Sequence, residues 1–112
     1  MKFSDFVTTD AIKSELEASD KEGVVRELVN SLVASGQLSA NDKESIVEAI
    51  MTREELGSTG IGRGIAVPHT KHASVSKPVG TVGVSAPGVD FQSLDGEQVQ
   101  LFFMLISPPD QP

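Results

Sequence analysis

The segment VQLFFMLI, residues 99–106, is apolar at every position except Gln100. A strand with one face in solvent alternates apolar and polar residues, so this run predicts a central strand that is covered on both faces. The dipeptide Asp-Gly at 95–96 predicts a turn before it. Residues 79–86, rich in valine and glycine, predict a second strand that the Pro-Gly pair at 87–88 breaks.

Two helices are predicted upstream of these strands, because apolar residues recur there at intervals of three and four. Asp20 is placed to cap the first helix, which is predicted over residues 20–35 and ends before a glycine. Asn41 and Glu44 have the spacing of a capping box, so the second helix is predicted over residues 41–56.

Residues 11–17 are a weaker strand candidate, with Ile12 and Leu16 as its apolar positions. Helices grouped early and strands grouped late predict an α/β (α+β) sandwich, in which helices flank a mixed β-sheet. The 112 residues suffice for one hydrophobic core and contain no internal repeat or linker. We therefore predict a single domain over residues 1–112.

Composition excludes several classes of function. A net charge of −7, and five phenylalanines without Tyr or Trp, argue against nucleic-acid binding. The absence of cysteine excludes a disulfide scaffold, a thiolate nucleophile and a zinc site built on sulfur. The chain has neither the apolar core of a signal peptide nor an apolar run of about 18 residues, so no membrane insertion and a cytoplasmic location are expected.

The acidic residues are unevenly distributed along the chain. Twelve of the sixteen fall within residues 1–55 and none within residues 56–89, where Arg63, Lys71 and Lys77 occur. Two interpretations of the anion-free stretch remain open at this point: a structural loop with a buried strand, or a site for an anion.

The stretch GSTGIGRGIAVPHTKH, residues 57–72, lies within this region but fits none of the common glycine motifs. Arg63 and Gly64 stand where a phosphate-binding loop of nucleotide enzymes needs Lys and Ser or Thr. The loop also follows a helix, whereas dinucleotide-binding loops follow a strand. His69 and His72 form a poor metal pair, because no cysteine or carboxylate lies nearby in the sequence. No metal and no cofactor are predicted.

His69 is the candidate nucleophile. A neutral imidazole can attack a phosphoryl group without a separate base, and the product remains reactive enough to pass the group on. Pro68 restricts the preceding backbone and so directs His69. Glycine amides and nearby hydroxyls can bind phosphoryl oxygens, and an arginine can neutralise their charge. The candidates for these supporting roles are Ser58, Thr59, Gly60, Gly62 and Arg53. The alternative is a structural loop with a bystander histidine.

The run TREELGSTGIGRGIAVPHTK, residues 52–71, resembles the active-site signature of the enzyme IIA domains of the fructose, mannitol and nitrogen-regulatory type in the bacterial phosphotransferase system. Thr70 departs from the pattern, which usually has a small residue there. The matching positions are Glu54, Ile61, Gly62, Ile65, Ala66, Val67, Pro68 and His69.

The resemblance implies a phosphohistidine carrier, a phosphotransferase component on the α/β sandwich with a mixed sheet. His69 would accept a phosphoryl group on Nε2 from the carrier HPr, or from its nitrogen-branch relative. It would pass the group to an enzyme IIB (EIIB) domain, with Arg53 stabilising charge. Glu54 and Glu55 would attract the basic face of HPr. The alternative is a regulatory binding module that phosphorylation of His69 switches.

The resemblance also implies further helices after the sequence SPPDQP. This chain does not contain those helices. We therefore expect a C-terminally truncated domain in which one face of the sheet lacks part of its cover. Such a face would favour a homodimer through the side that carries Phe102 or Phe103.

Overall fold

The computed structural model describes residues 12–109, which form two helices followed by a five-stranded sheet. A short 3₁₀ turn, Ala40–Asp42, lies between the helices. The helices are α1 (Lys21–Ala34) and α2 (Lys43–Glu55), and the strands are β1 (Gly60–Gly62), β2 (Ile65–Ala66), β3 (His69–Lys71), β4 (Val79–Val89) and β5 (Val99–Ser107). Neither helix in the described part of the chain is long and apolar enough to cross a bilayer.

Helix α1 confirms the first helix prediction almost to the residue. Asp20 caps it by accepting a hydrogen bond from the Gly23 amide at 2.8 Å. Gly36, at φ 83°, follows its end in the left-handed conformation that favours glycine. The apolar face is buried in the core through Val24, Val25, Leu28, Val29 and Leu32.

Helix α2 occurs where it was predicted, but the predicted capping box is wrong. Asn41 lies in the 3₁₀ turn, where its amide donates to the Ser39 hydroxyl. Glu44 instead forms an ion pair with Arg26 of α1. The competing partner on α1 cannot be inferred from local sequence, which explains the error.

Strand β5 is the centre of the sheet. Strand β4 pairs with it antiparallel, and β2 and β3 pair with it parallel. Ile65 is opposite Leu101 and His69 is opposite Leu105, so β2 and β3 continue one register along β5. They are two parts of one extended segment that is interrupted at Pro68.

Strand β4 extends beyond the predicted residues 79–86. Pro87 and Gly88 do not end it but coincide with a shift in register between Val84 and Val89. The candidate strand at 11–17 is reduced to a single parallel bridge between Lys13 and Gly83. Residue 11 lies outside the described residues.

The two faces of β5 are covered unequally, which corrects the prediction of a strand buried on both sides. Phe102, Met104 and Ile106 are fully buried in the core shared with the helices. The alternate residues Leu101 and Phe103 are only half-buried. Phe102 therefore lies on the helix-covered face and is excluded as a surface for a homodimer, whereas Phe103 is not.

Candidate functional site

His69 begins β3, directly after the buried Pro68, and is half-buried. Its side chain lies on the same face as its register partner Leu105, opposite the face that packs against the helices. The Pro68 carbonyl accepts a hydrogen bond from the Leu105 amide at 3.0 Å. The imidazole is thus carried by a backbone that is anchored to the central strand immediately before it.

A hydrogen bond to the backbone defines the tautomer of His69. Nδ1 lies 2.8 Å from the Val67 carbonyl oxygen. Because a carbonyl can only accept, Nδ1 carries the proton. In the neutral ring the lone pair is then on Nε2, the nitrogen that a phosphoryl acceptor would use.

His72 has the opposite arrangement. Its Nδ1 accepts a hydrogen bond from the Ser74 amide at 3.1 Å, and its Nε2 lies 2.7 Å from the Ser45 hydroxyl of α2. The nitrogen that lacks a proton is therefore already bound by the backbone. His72 connects α2 to the loop that follows β3.

Arg53 lies at the end of α2, where Nη1 donates to the Gly57 carbonyl at 2.8 Å. This bond ties the last turn of the helix to the start of the glycine loop. Within residues 12–109 no hydrogen bond joins the guanidinium to the ring of His69.

The hydroxyls of Ser58 and Thr59 stabilise the loop through hydrogen bonds to other parts of the protein. The Ser58 hydroxyl donates to the Phe91 carbonyl at 2.6 Å, and the Thr59 hydroxyl donates to the carboxylate of Glu54. To bind phosphate, both hydroxyls would have to exchange these partners. Their predicted role in phosphate binding stays a prediction.

Gly60 and Gly62 lie in β1, and each has a structural reason to be glycine. A Cβ on Gly60 would lie 2.9 Å from the Cα of Ser93, and Gly62 has φ 105°. The Gly60 amide donates to the Ser58 hydroxyl at 2.9 Å. Their role in phosphate binding likewise remains a prediction.

Asp95 holds the turn between β1 and β2. Its carboxylate accepts hydrogen bonds from the amides of Arg63 and Glu97, both at 3.0 Å. These bonds favour the ionised form and lower the pKa of Asp95 below its ordinary value. Arg63, at φ 58°, adopts a left-handed conformation that the Asp95 contact supports.

Glu54 is the residue whose role the sequence analysis missed. It was expected to attract a basic partner from the surface, but it is only 6% exposed. Its carboxylate pairs with Lys21 at 3.0 Å and accepts the Thr59 amide at 3.2 Å. The sequence contains a signal for this burial, since Glu54 continues the apolar face of α2 one turn after Ile50.

The described residues contain no group of three or more His, Cys, Asp or Glu side chains that could hold a metal ion. The candidate site consists of an imidazole with a defined tautomer and a glycine loop held by its own hydrogen bonds, with Arg53 at the end of the helix that precedes the loop.

Comparison with known proteins shows the family to which this arrangement is similar. The family model for the phosphoenolpyruvate-dependent sugar phosphotransferase system, EIIA 2, matches residues 5–112. The fructose-specific EIIABC component of Bacillus subtilis is 46% identical over 105 residues, which cover 94% of this chain and 16% of that protein. The nitrogen regulatory protein of Bradyrhizobium diazoefficiens is 32% identical over 108 residues, covering 96% of this chain and 69% of that protein.

A solved structure extends the similarity to the fold. The nitrogen regulatory protein IIA-Ntr from Neisseria meningitidis superposes with a TM-score of 0.84 at 31% identity, covering 95% of this chain and 70% of that chain. The mixed sheet with its two helices is therefore the fold of this group, as predicted.

Proposed function

This chain belongs to the EIIA 2 family of the phosphoenolpyruvate-dependent sugar phosphotransferase system, and from that premise we propose that His69 is its phosphoryl acceptor. The observation that carries the proposal is the 2.8 Å bond from Nδ1 to the Val67 carbonyl, which leaves the lone pair on Nε2. The donor would be the phosphohistidine of HPr or its nitrogen-branch relative, and the recipient an EIIB domain.

The transfer needs no net movement of protons. The Nε2 lone pair of His69 forms a bond to phosphorus while the donor's N–P bond breaks and its electron pair returns to the donor ring. A donor ring that is protonated on its second nitrogen leaves as neutral imidazole. The His69 product keeps its proton on Nδ1, and the Val67 carbonyl stabilises the positive charge that develops on the ring.

Arg53 would stabilise charge on the phosphoryl group. A guanidinium has five N–H donors, so its bond to the Gly57 carbonyl leaves others for phosphoryl oxygens. The amides of Gly60 and Gly62 and the hydroxyls of Ser58 and Thr59 would complete the phosphate site after exchanging their present partners.

A second candidate function is a regulatory module whose phosphorylation at His69 changes its binding to other proteins. It is favoured by the similarity to a nitrogen regulatory protein over 96% of the chain. The similarity to a fructose-specific EIIABC component favours transfer to EIIB. Transfer of label from the phosphorylated chain to isolated EIIB domains distinguishes the two candidates.

The test of the acceptor uses ³²P-labelled phospho-HPr. We expect the wild-type protein to acquire acid-labile, alkali-stable label, which His69→Ala abolishes and His72→Gln retains. His72→Gln is the matched control because it removes the other imidazole, three residues away. Circular dichroism establishes that both variants are folded. Label that survives in folded His69→Ala contradicts the assignment.

A further inference from the structure

We propose that the buried ion pair of Glu54 and Lys21 positions the phosphoryl acceptor by fixing the tautomer and direction of the His69 ring. The proposal rests on the function proposed for His69. Neither residue contacts the ring, so both are positioning residues. They act through two intervening residues of the loop and strand.

The relay begins at the carboxylate of Glu54. It accepts the Thr59 amide at 3.2 Å and also accepts the Thr59 hydroxyl. Both atoms of Thr59 that can donate are therefore directed to one buried anion. This fixes the orientation of the peptide at Thr59, which is itself only 5% exposed.

The backbone of Thr59 then connects to the histidine. Its carbonyl accepts the Val67 amide at 3.1 Å, and the Val67 carbonyl accepts the His69 Nδ1 proton at 2.8 Å. Three hydrogen bonds, linked through the backbones of Thr59 and Val67, thus connect the carboxylate to the imidazole. A change in the backbone conformation at Thr59 would alter the position of Val67, whose carbonyl selects the tautomer.

Lys21 holds the carboxylate of Glu54 in place. Its Nζ lies 3.0 Å from the carboxylate, 3.0 Å from Gln92 Oε1 and 4.7 Å from the centre of the Phe91 ring. A buried carboxylate is costly unless it is paired and hydrogen-bonded. Glu54 meets both conditions, and a charge in this position favours one loop conformation over its alternatives.

Replacing Glu54 with Gln places an amide donor either against the Lys21 ammonium, which contacts Oε1, or against the Thr59 donors, which contact Oε2. Either orientation removes one of the contacts that hold Thr59 or Glu54, and the loop then adopts other orientations. His69 would populate the form protonated on Nε2, which has its lone pair on Nδ1 and none on Nε2 for attack. Replacing a residue that orients a metal-binding histidine costs about ten- to a hundredfold in activity. By the same reasoning we expect at least a tenfold lower transfer rate for Glu54→Gln. The KM for phospho-HPr should stay unchanged.

Glu27→Gln is the matched control. Glu27 also accepts backbone amides, from Glu17 at 3.0 Å and Ala18 at 2.9 Å, and it also pairs with a lysine, Lys13 at 3.8 Å. Glu27 stabilises the segment before α1 and makes none of the hydrogen bonds that connect Glu54 to His69. A loss of stability alone would affect both variants, whereas a change in the ring of His69 is expected only for Glu54→Gln.

The experiment combines three measurements on wild type, Glu54→Gln, Lys21→Met and Glu27→Gln. Long-range ¹H–¹⁵N spectra report the His69 tautomer, single-turnover transfer from phospho-HPr gives rate and KM, and thermal unfolding monitors stability. We expect the tautomer signal and the rate to change in Glu54→Gln and Lys21→Met but not in Glu27→Gln.

A folded Glu54→Gln protein with wild-type tautomer and rate overturns the proposal. If that variant does not fold, Lys21→Met decides it by the same criteria. If wild type accepts no label, the function proposed for His69 fails, and the spectra alone then decide whether Glu54 and Lys21 set its tautomer.

Discussion

His69 and His72 are three residues apart, yet their ring nitrogens are used in opposite ways. The Val67 carbonyl holds the proton of His69 on Nδ1, whereas the Ser74 amide binds the unprotonated Nδ1 of His72. The residue type is the same in both cases. The backbone group that each ring contacts decides which histidine keeps its lone pair on Nε2.

Asp95 supports a prediction about acid stability. Its pKa is lowered in the folded protein, chiefly by the amide of Arg63, so its contribution to stability is fully present above its ordinary pKa of about 3.9 and is lost as the pH falls through the lower folded pKa. Asp95→Asn should lower the melting temperature at pH 7, and the difference from wild type should shrink below about pH 4.

Thermal unfolding between pH 2 and pH 7 checks this, with Glu97→Gln as a control in the same loop. The backbone amide of Glu97, not its side chain, makes the contact with Asp95. A difference between wild type and Asp95→Asn that is constant across this range would show that the ionised carboxylate is not what stabilises the turn.

At the scale of elements, local sequence patterns predicted the helices well. Strands that depend on pairing with a distant part of the chain could not be predicted from local sequence. Helix α1 and its Asp20 cap were predictable because the cap and the apolar spacing are close in sequence. The short strands β2 and β3 were not, because each depends on pairing with β5, 36 residues further along the chain. The family signature predicts His69 as the phosphoryl acceptor, which stays a prediction, but no local pattern shows that Thr59 donates to Glu54.

The glycines of two strands give a prediction about packing. A Cβ on Gly60 would lie 2.9 Å from the Cα of Ser93, which is backbone, whereas a Cβ on Gly83 would lie 2.7 Å from the end of the Leu28 side chain. A side-chain end can move more easily than backbone. Gly60→Ala should therefore cost about 1–3 kcal/mol in the free energy of unfolding, and Gly83→Ala less.

Urea denaturation of both variants measures these losses. The comparison is matched because both changes add one methyl group within a strand. An equal loss, or a larger loss for Gly83→Ala, would show that the loop around Ser93 yields at least as readily as the packing of helix α1.

At the scale of the whole molecule, His69 and the helices are on opposite faces of the sheet. The helices cover the face of Phe102, while His69 shares the face of the half-buried Leu101 and Phe103. The homodimer through Phe103 stays a prediction. The chain spans 70% of the IIA-Ntr structure that it matches and 16% of the EIIABC component.

The net charge of −7 leads to a prediction about encounter with the phosphoryl donor. The family resemblance implies a basic donor face, so long-range attraction should increase its association rate. Glu54 is buried and contributes no surface charge, whereas Glu55 is exposed beside the glycine loop and Glu48 is exposed nearer the start of α2. Attraction that acts near the site should depend more on Glu55 than on Glu48.

Stopped-flow phosphorylation by phospho-HPr at about 50 and 500 mM salt tests this, because the screening length falls from above 10 Å to a few Å over that range. We expect the second-order rate constant to fall at least tenfold with salt in wild type. Glu55→Lys should lower it at low salt more than Glu48→Lys, although both variants change the net charge equally. The first-order transfer step should be unaffected, since neither residue contacts His69. Equal rate constants for the two variants at low salt would mean that only the total charge matters, and a rate constant independent of salt would exclude electrostatic steering.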